Sequence, residues 1–158
     1  MEDLSLHILD IVENSIEAKA SRVGIKVIED MRKDLLTIEI KDNGQGMDEK
    51  TLKRVFDPFY TTRTARKVGL GLALLVQATR ESGGDIEIKS KIGKGTRVKA
   101  TFQYSHIDRK PLGDIEKTLT TLIAGNPEVD FVYEHQRGNQ KFCLDTKEMK
   151  VKTGMEQW

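Results

Sequence analysis

"KDNGQGM", Lys41 to Met47, follows the alternating run "LLTIEIKD" and crowds one aspartate, one asparagine and two glycines together. Three physical readings compete for such a loop: a tight hairpin turn, a cation loop of Asp and Asn oxygens, or a backbone kept slim so that a ligand can approach. A helix-loop-helix calcium site needs acidic oxygens at alternating positions and a closing bidentate glutamate, and "DNGQGMDEKTL" lacks that ladder. The turn reading accounts for Asn43 and Gly44 but leaves Gly46, and the glycines at 69, 71, 93 and 95, unused.

The flanks decide the fold. Upstream, Leu4, Ile8, Ile11, Val12 and Ile16 recur at helical spacing and form one apolar stripe, while Asp10, Asn14 and Glu17 share another face. "VGIKVIE" and "LLTIEIKD" alternate about the polar turn "DMRKD", which predicts a hairpin. Downstream, Asp48 is an N-cap for a short helix to Val55, and a second helix is expected from about Leu70 to Ser82, stopped by Gly83 and Gly84. Ile86 and Ile88, then Val98, Ala100 and Phe102, mark two more strands joined by "KIGKG". The order α-β-β-α-α-β-β buries these stripes most economically as a two-layer α/β sandwich, a mixed sheet with helices on one face.

Beyond residue 104 the character changes. "GDIEKTLTTLIAGN" reads as an amphipathic helix with Asp114 near its N-cap and Gly125 at C′, and "VDFVYEH" and "KFCLD" as a hairpin about "QRGNQ". This α-β-β unit is too small for its own core. It is expected to dock on the main sheet or on another subunit, the latter giving a homodimer. The division is therefore a main domain over 1–104 and a C-terminal unit over 105–158.

The totals exclude several classes. In 158 residues, 26 basic against 25 acidic side chains leave a net charge of +1, so no global field draws the chain to nucleic acid or anionic lipid. The single cysteine, Cys143, excludes an intrachain disulfide and a cysteine-cluster metal site. The amino end "MEDLSLHILDIVENS" is too acidic and periodic for a signal peptide, and no apolar run is long enough for a bilayer. A cytoplasmic setting is expected.

Four features in order, the helix bearing Asn14, the loop at Asp42, "VFDPFYTTR", and "VGLGLALL" with "GKGT" downstream, resemble the GHKL ATPases: histidine kinases, type II topoisomerases, mismatch-repair proteins and heat-shock chaperones. The resemblance spans about residues 4 to 104. It implies a free-standing ATP-binding domain that uses ATP or ADP with Mg2+. By resemblance Asp42 accepts the adenine amino group, Gly44 and Gly46 admit the base, and Thr96 supports Asp42 through a water. Asn14 presents its oxygen to magnesium, and Gly69 and Gly71 open a helix whose amino end faces the phosphates. The segment from Pro58 to Val68 corresponds to the nucleotide lid, where Arg63, Arg66 and Lys67 are candidates to neutralise triphosphate charge, while Phe56 and Phe59 pack the lid down.

Departures refine the expectation. Hydrolysing relatives carry a glutamate four residues before the asparagine, as general base. Here Asp10 holds that place, and its shorter side chain withdraws the carboxylate by about one methylene, which argues against steady hydrolysis. Glu17 stands where many kinases have lysine. "SHIDRKPL" imitates a phosphoacceptor motif at His106 but has Ile107 for the acidic neighbour, and Pro111 suits the first turn of the next helix, which it is expected to open, so His106 is expected to be a connector residue. His7 and His135 are read as structural. The expected function is transfer of the γ-phosphoryl group to a separate regulatory or phosphoacceptor protein, of two-component or anti-sigma serine-kinase type. An ATP-dependent switch or a slow ATPase is the alternative.

Overall fold

The computed structural model describes residues 3–55, 67–106, 109 and 111–147. Helix α1 spans Leu4–Glu17, strands β1 Arg22–Asp30 and β2 Leu35–Asp42, and helices α2 Glu49–Val55 and α3 Lys67–Glu81. Strands β3 Asp85–Lys91 and β4 Gly95–Gln103, helix α4 Ile115–Gly125, and strands β5 Asp130–Arg137 and β6 Gln140–Asp145 complete the order. The expected α/β sandwich is present.

The strands form one six-stranded sheet in the order β3-β4-β2-β1-β5-β6. Hairpins join β1 to β2, β3 to β4 and β5 to β6, whereas β5 lies parallel to β1, with Ile25 opposite Tyr133 and Val27 opposite His135. Period-two alternation sends Val23, Ile25, Val27, Leu36, Ile38, Ile40, Val98, Ala100 and Phe102 to the face that the helices cover, all buried. The opposite face carries cross-strand pairs such as Arg97 with Glu39 and Lys26 with Glu134. From the helices, Leu4, Ile8, Ile11 and Val12 of α1 and Leu72 and Leu75 of α3 close the core. Each fully buried large side chain contributes roughly 1.5 to 3 kcal/mol relative to exposure.

Capping explains the helix limits. Asp3 accepts from Leu6 N to start α1, and Asp48 accepts from Thr51 N at 2.7 Å to start α2, as its sequence requires. The stop of α3 is as expected: Gly83 has φ +64° and Gly84 N donates to Thr79 O at 2.9 Å. Its start is earlier than the glycines suggest. Gly69 and Gly71 lie inside the first turns of α3 rather than ahead of it, the glycine penalty of about 1 kcal/mol each being offset by burial of Leu72, Leu75 and Val76.

The C-terminal unit docks on the main sheet. Proline 111 does not open α4: Pro111 O and Leu112 O accept from Leu4 N and Ser5 N, both at 2.8 Å, so this segment caps α1 instead. Gly113, with φ +77°, then turns the chain, and Asp114 caps α4 by accepting from Lys117 N at 2.9 Å. Gly125 is the last helical residue, with Asn126 as the cap, rather than a left-handed C′ position. His106 follows β4, its N–H donating to Gln103 O at 3.1 Å.

Candidate functional site

Loop 43–48 leads from β2 into α2, so it is not a hairpin turn. Three anchors hold it. Asn43 Oδ1 accepts from Ser21 N and Arg22 N at 2.9 and 3.0 Å, and its amide donates to Ser21 Oγ at 2.9 Å, which ties the loop to the start of β1. Gln45 N donates to Ala18 O at 2.8 Å, beyond the end of α1, and Gln45 O accepts from Gly93 N at 2.8 Å in the β3–β4 turn. A Cβ on Gly44 would lie 2.8 Å from Ala18 O, and one on Gly46, where φ is +74°, would run into Lys91 O. The glycines let this loop lie flat against α1 and the β3–β4 turn.

This cinching fixes Asp42, the last residue of β2. Its Oδ1 accepts from Gly44 N at 2.8 Å, and its Oδ2 accepts from Ser15 Oγ of α1 at 2.6 Å. A carboxylate offers about four lone-pair sites. Two are used to aim it, leaving acceptor capacity for a ligand's N–H. Across the ladder Thr96 stands opposite Asp42 in register, and Thr96 Oγ1 shares a 2.7 Å hydrogen bond with Ser90 Oγ, which also accepts from Met47 N at 2.7 Å. Asp42, Ser90, Gly95 and Thr96, with Lys41 and Lys91, line a recess of about 230 Å³.

On α1, Asp10 and Asn14 are one helical turn apart and both half-buried. Asn14 Nδ2 is buried with no hydrogen-bond partner among the described residues. An orphaned buried amide costs about 1 to 3 kcal/mol, a penalty that a ligand contact would relieve. Helix α1 packs on α3, which carries Gly69 and Gly71 near its amino end. Arg63, Arg66, Phe56 and Phe59 lie outside the described residues, as does the side chain of Lys67. No group of three or more His, Cys, Asp or Glu side chains that could hold a metal is found among the described residues. The amide oxygen of Asn14 is a hard donor, of the kind that would suit a cation such as magnesium.

Ser15 and Ser90 complete the site and escaped the sequence reading. Ser90 had a signal, a hydroxyl on the strand face that elsewhere in β3 carries Ile86 and Ile88. Ser15 is a buried serine in a helix, with no pattern of its own.

A larger cavity of about 740 Å³ lies apart from these groups, between the first turn of α4 and the β5–β6 hairpin. It contains none of the residues gathered around Asp42. Beside it, Tyr133 Oη and His135 Nδ1 are 2.6 Å apart, and His135 Nε2 lies 2.7 Å from Glu29 Oε2. His135 thus ties β5 to β1, and His7 is buried in α1.

Residues 2–106 match the family described as histidine kinase-, DNA gyrase B- and HSP90-like ATPases. The sensor protein kinase FleS of Pseudomonas aeruginosa is 38% identical over 110 residues, which cover 70% of this chain and 27% of FleS. Sporulation kinase E of Bacillus subtilis is 40% identical over 89 residues, covering 56% of this chain and 12% of the kinase. The chain thus spans a minor part of these relatives. Among solved structures, the Aquifex aeolicus MutL ATPase domain complexed with ADP superposes with a TM-score of 0.53 at 20% identity, over 92% of this chain and 63% of that one. Among the described residues no helix is long and apolar enough to cross a membrane.

Proposed function

The chain belongs to the family of histidine kinase-, DNA gyrase B- and HSP90-like ATPases, and from that premise we propose that it binds ATP with magnesium and passes the γ-phosphoryl group to an acceptor on a separate protein. The observation that carries the reading is the Asp42 carboxylate, aimed by Ser15 and Gly44 with lone pairs to spare. It accepts the adenine amino group, and Thr96 steadies the same end of the sheet. Gly44 and Gly46 keep the loop slim beside the base. Asn14 supplies an amide oxygen to the cation, while its Nδ2, buried with no partner among the described residues, can donate to a phosphate oxygen. When bound, magnesium neutralises charge on the transferring group. Gly69 and Gly71 keep the amino end of α3 open to phosphate oxygens. Arg63, Arg66 and Lys67 of the lid contribute positive charge.

In the transfer, the acceptor atom forms a bond to the γ-phosphorus while the bond to the β–γ bridging oxygen breaks, and ADP leaves. Where the acceptor is a hydroxyl, Asp10 takes its proton. The short Asp10 side chain favours a second reading, binding without efficient turnover, in which ATP switches a contact surface. The nucleotide work belongs to residues 1–104 and contact to residues 105–158, either with a regulatory protein or in a homodimer. The setting is cytoplasmic, and neither nucleic acid nor membrane is a partner.

Incubation with γ-labelled ATP, with and without cell extract, tests the assignment. Label on a second protein supports transfer, and release as phosphate supports an ATPase. Binding without label movement supports the switch, and no nucleotide binding at all removes the proposal.

A further inference from the structure

The two edges of the sheet are treated differently. On its solvent face β3 presents Asp85, Glu87, Lys89 and Lys91, the charged covering by which natural edges avoid pairing with other chains. On β6 the middle residues are Phe142, 56% exposed, and an exposed Cys143. Charge on β6 is confined to its flanks, at Lys141 and Asp145.

The hydrogen-bonding parity of β6 is fixed by its neighbours. Gly138 N donates to Glu29 O of β1, whereas Phe131 N donates to Thr146 Oγ1 beyond β6. Odd-numbered residues of β5 therefore face β6, and their partners Gln140, Phe142 and Leu144 turn their backbone groups inward. The backbone N–H and C=O groups of Lys141, Cys143 and Asp145 point away from the sheet.

We propose that β6 pairs antiparallel with β6 of a second copy of this chain, about a two-fold axis through Cys143, making one continuous sheet across both copies. This names the surface for the contact role assigned above to the C-terminal unit and rests on that reading. In this register Cys143 bonds to Cys143 of the other copy, and Lys141 bonds to its Asp145, through the outward backbone groups. The side chains agree on both faces. On the solvent face Lys141 meets Asp145 directly, extending two existing contacts, Lys141 to Glu134 at 3.5 Å and Arg22 to Asp145 at 3.6 Å. Charges then alternate in sign across the junction, from Arg22 to Asp145 to the second Lys141 and its Glu134. On the helix face Phe142 covers Leu144 of the second copy. An axis through Phe142 instead sets Lys141 against Cys143 and leaves Asp145 beyond the strand, at the level of the Gly138–Asn139 turn.

Sedimentation equilibrium on the full chain tests the pairing. Wild type is expected to be a dimer. Lys141→Glu and Asp145→Lys, each entering the contact twice by symmetry, should each weaken dimerisation by about tenfold or more, and the double reversal should restore it. Diamide should convert two Cys143 thiols into one intermolecular disulfide, since opposed residues at the axis have Cα atoms about 5.5 Å apart, within disulfide range. Cys143→Ser should abolish that band. A monomer at every concentration overturns the self-contact altogether. A dimer indifferent to both reversals, and uncrosslinked at Cys143, overturns the β6 register while leaving some other self-contact in place.

Discussion

Ser15 Oγ donates to Asp42 Oδ2 at 2.6 Å, joining α1 to the end of β2 across 27 positions of sequence. The same bond aims the carboxylate and sets the helix that carries Asn14 and Asp10. Aiming the carboxylate and placing Asn14 are thus one structural act.

Ser15→Ala removes that bond. A hydrogen bond to a charged group is worth about 1.5 to 3 kcal/mol, part of which is shared with folding, so ATP affinity should fall by roughly tenfold. Asp42→Asn should cost about ten- to a hundred-fold. Isothermal titration calorimetry reads both, and a folded Asp42→Asn protein with wild-type affinity would remove the adenine assignment.

Asn14 and Asp10 share a helix face but should separate in experiment. Asn14→Ala is expected to abolish the magnesium dependence of nucleotide binding. Asp10→Asn should leave binding nearly intact and lower only the rate of transfer or hydrolysis. If both variants lose binding equally, Asp10 belongs to the fold and not to the chemistry.

Gly46 and Gly93 both have positive φ, +74° and +81°, but only at Gly46 would a side chain meet backbone, at Lys91 O. Alanine at Gly93 should cost about 1 kcal/mol or somewhat more, the left-handed conformation alone. Gly46→Ala should cost distinctly more and also weaken nucleotide binding, because it lifts the loop off the β3–β4 turn. Equal melting temperatures for the two variants would show that the close approach carries no energy.

Burial, assisted by the Glu116 and Glu29 carboxylates, pushes the Tyr133 hydroxyl up to about 12. An unfolded chain loses that proton near pH 10. Between the two values the folded state holds more protons than the unfolded one, so stability falls as pH rises. Denaturant titrations from about pH 9 to about pH 12 should show this loss in wild type and a shallower one in Tyr133→Phe. Parallel curves for the two proteins would detach the alkaline loss from this hydroxyl.

The fold was legible where chemistry is local. Alternation in "VGIKVIE" and "LLTIEIKD", the caps at Asp48 and Asp114 and the glycine stop of α3 each declare themselves within a few residues. The start of α3 did not, because its early glycines are overruled by burial further along the helix. Pro111 misled for a related reason: its carbonyl serves the amino end of α1, a partner far away in sequence. Asp42, Gly44, Gly46 and Thr96 of the candidate site fall within an ordered set of motifs. Ser15 gains its role only once the fold brings α1 against β2, and no spacing in the chain records that approach.

The parallel alliance of β1 with β5 also governs the order in which the molecule can be completed. Glu29 and His135 meet across 106 positions, so during synthesis β1 must wait on the ribosome with one flank bare while every intervening element emerges. Pairing at such separation is slow to form, because the loop must close before the contacts repay it. The amino-terminal part can collapse early, since β1, β2 and α1 are neighbours in sequence. Until the last strands arrive, however, it offers an unpaired β1 to any other nascent chain, and a polypeptide truncated before Asp130 should be prone to aggregate for that reason.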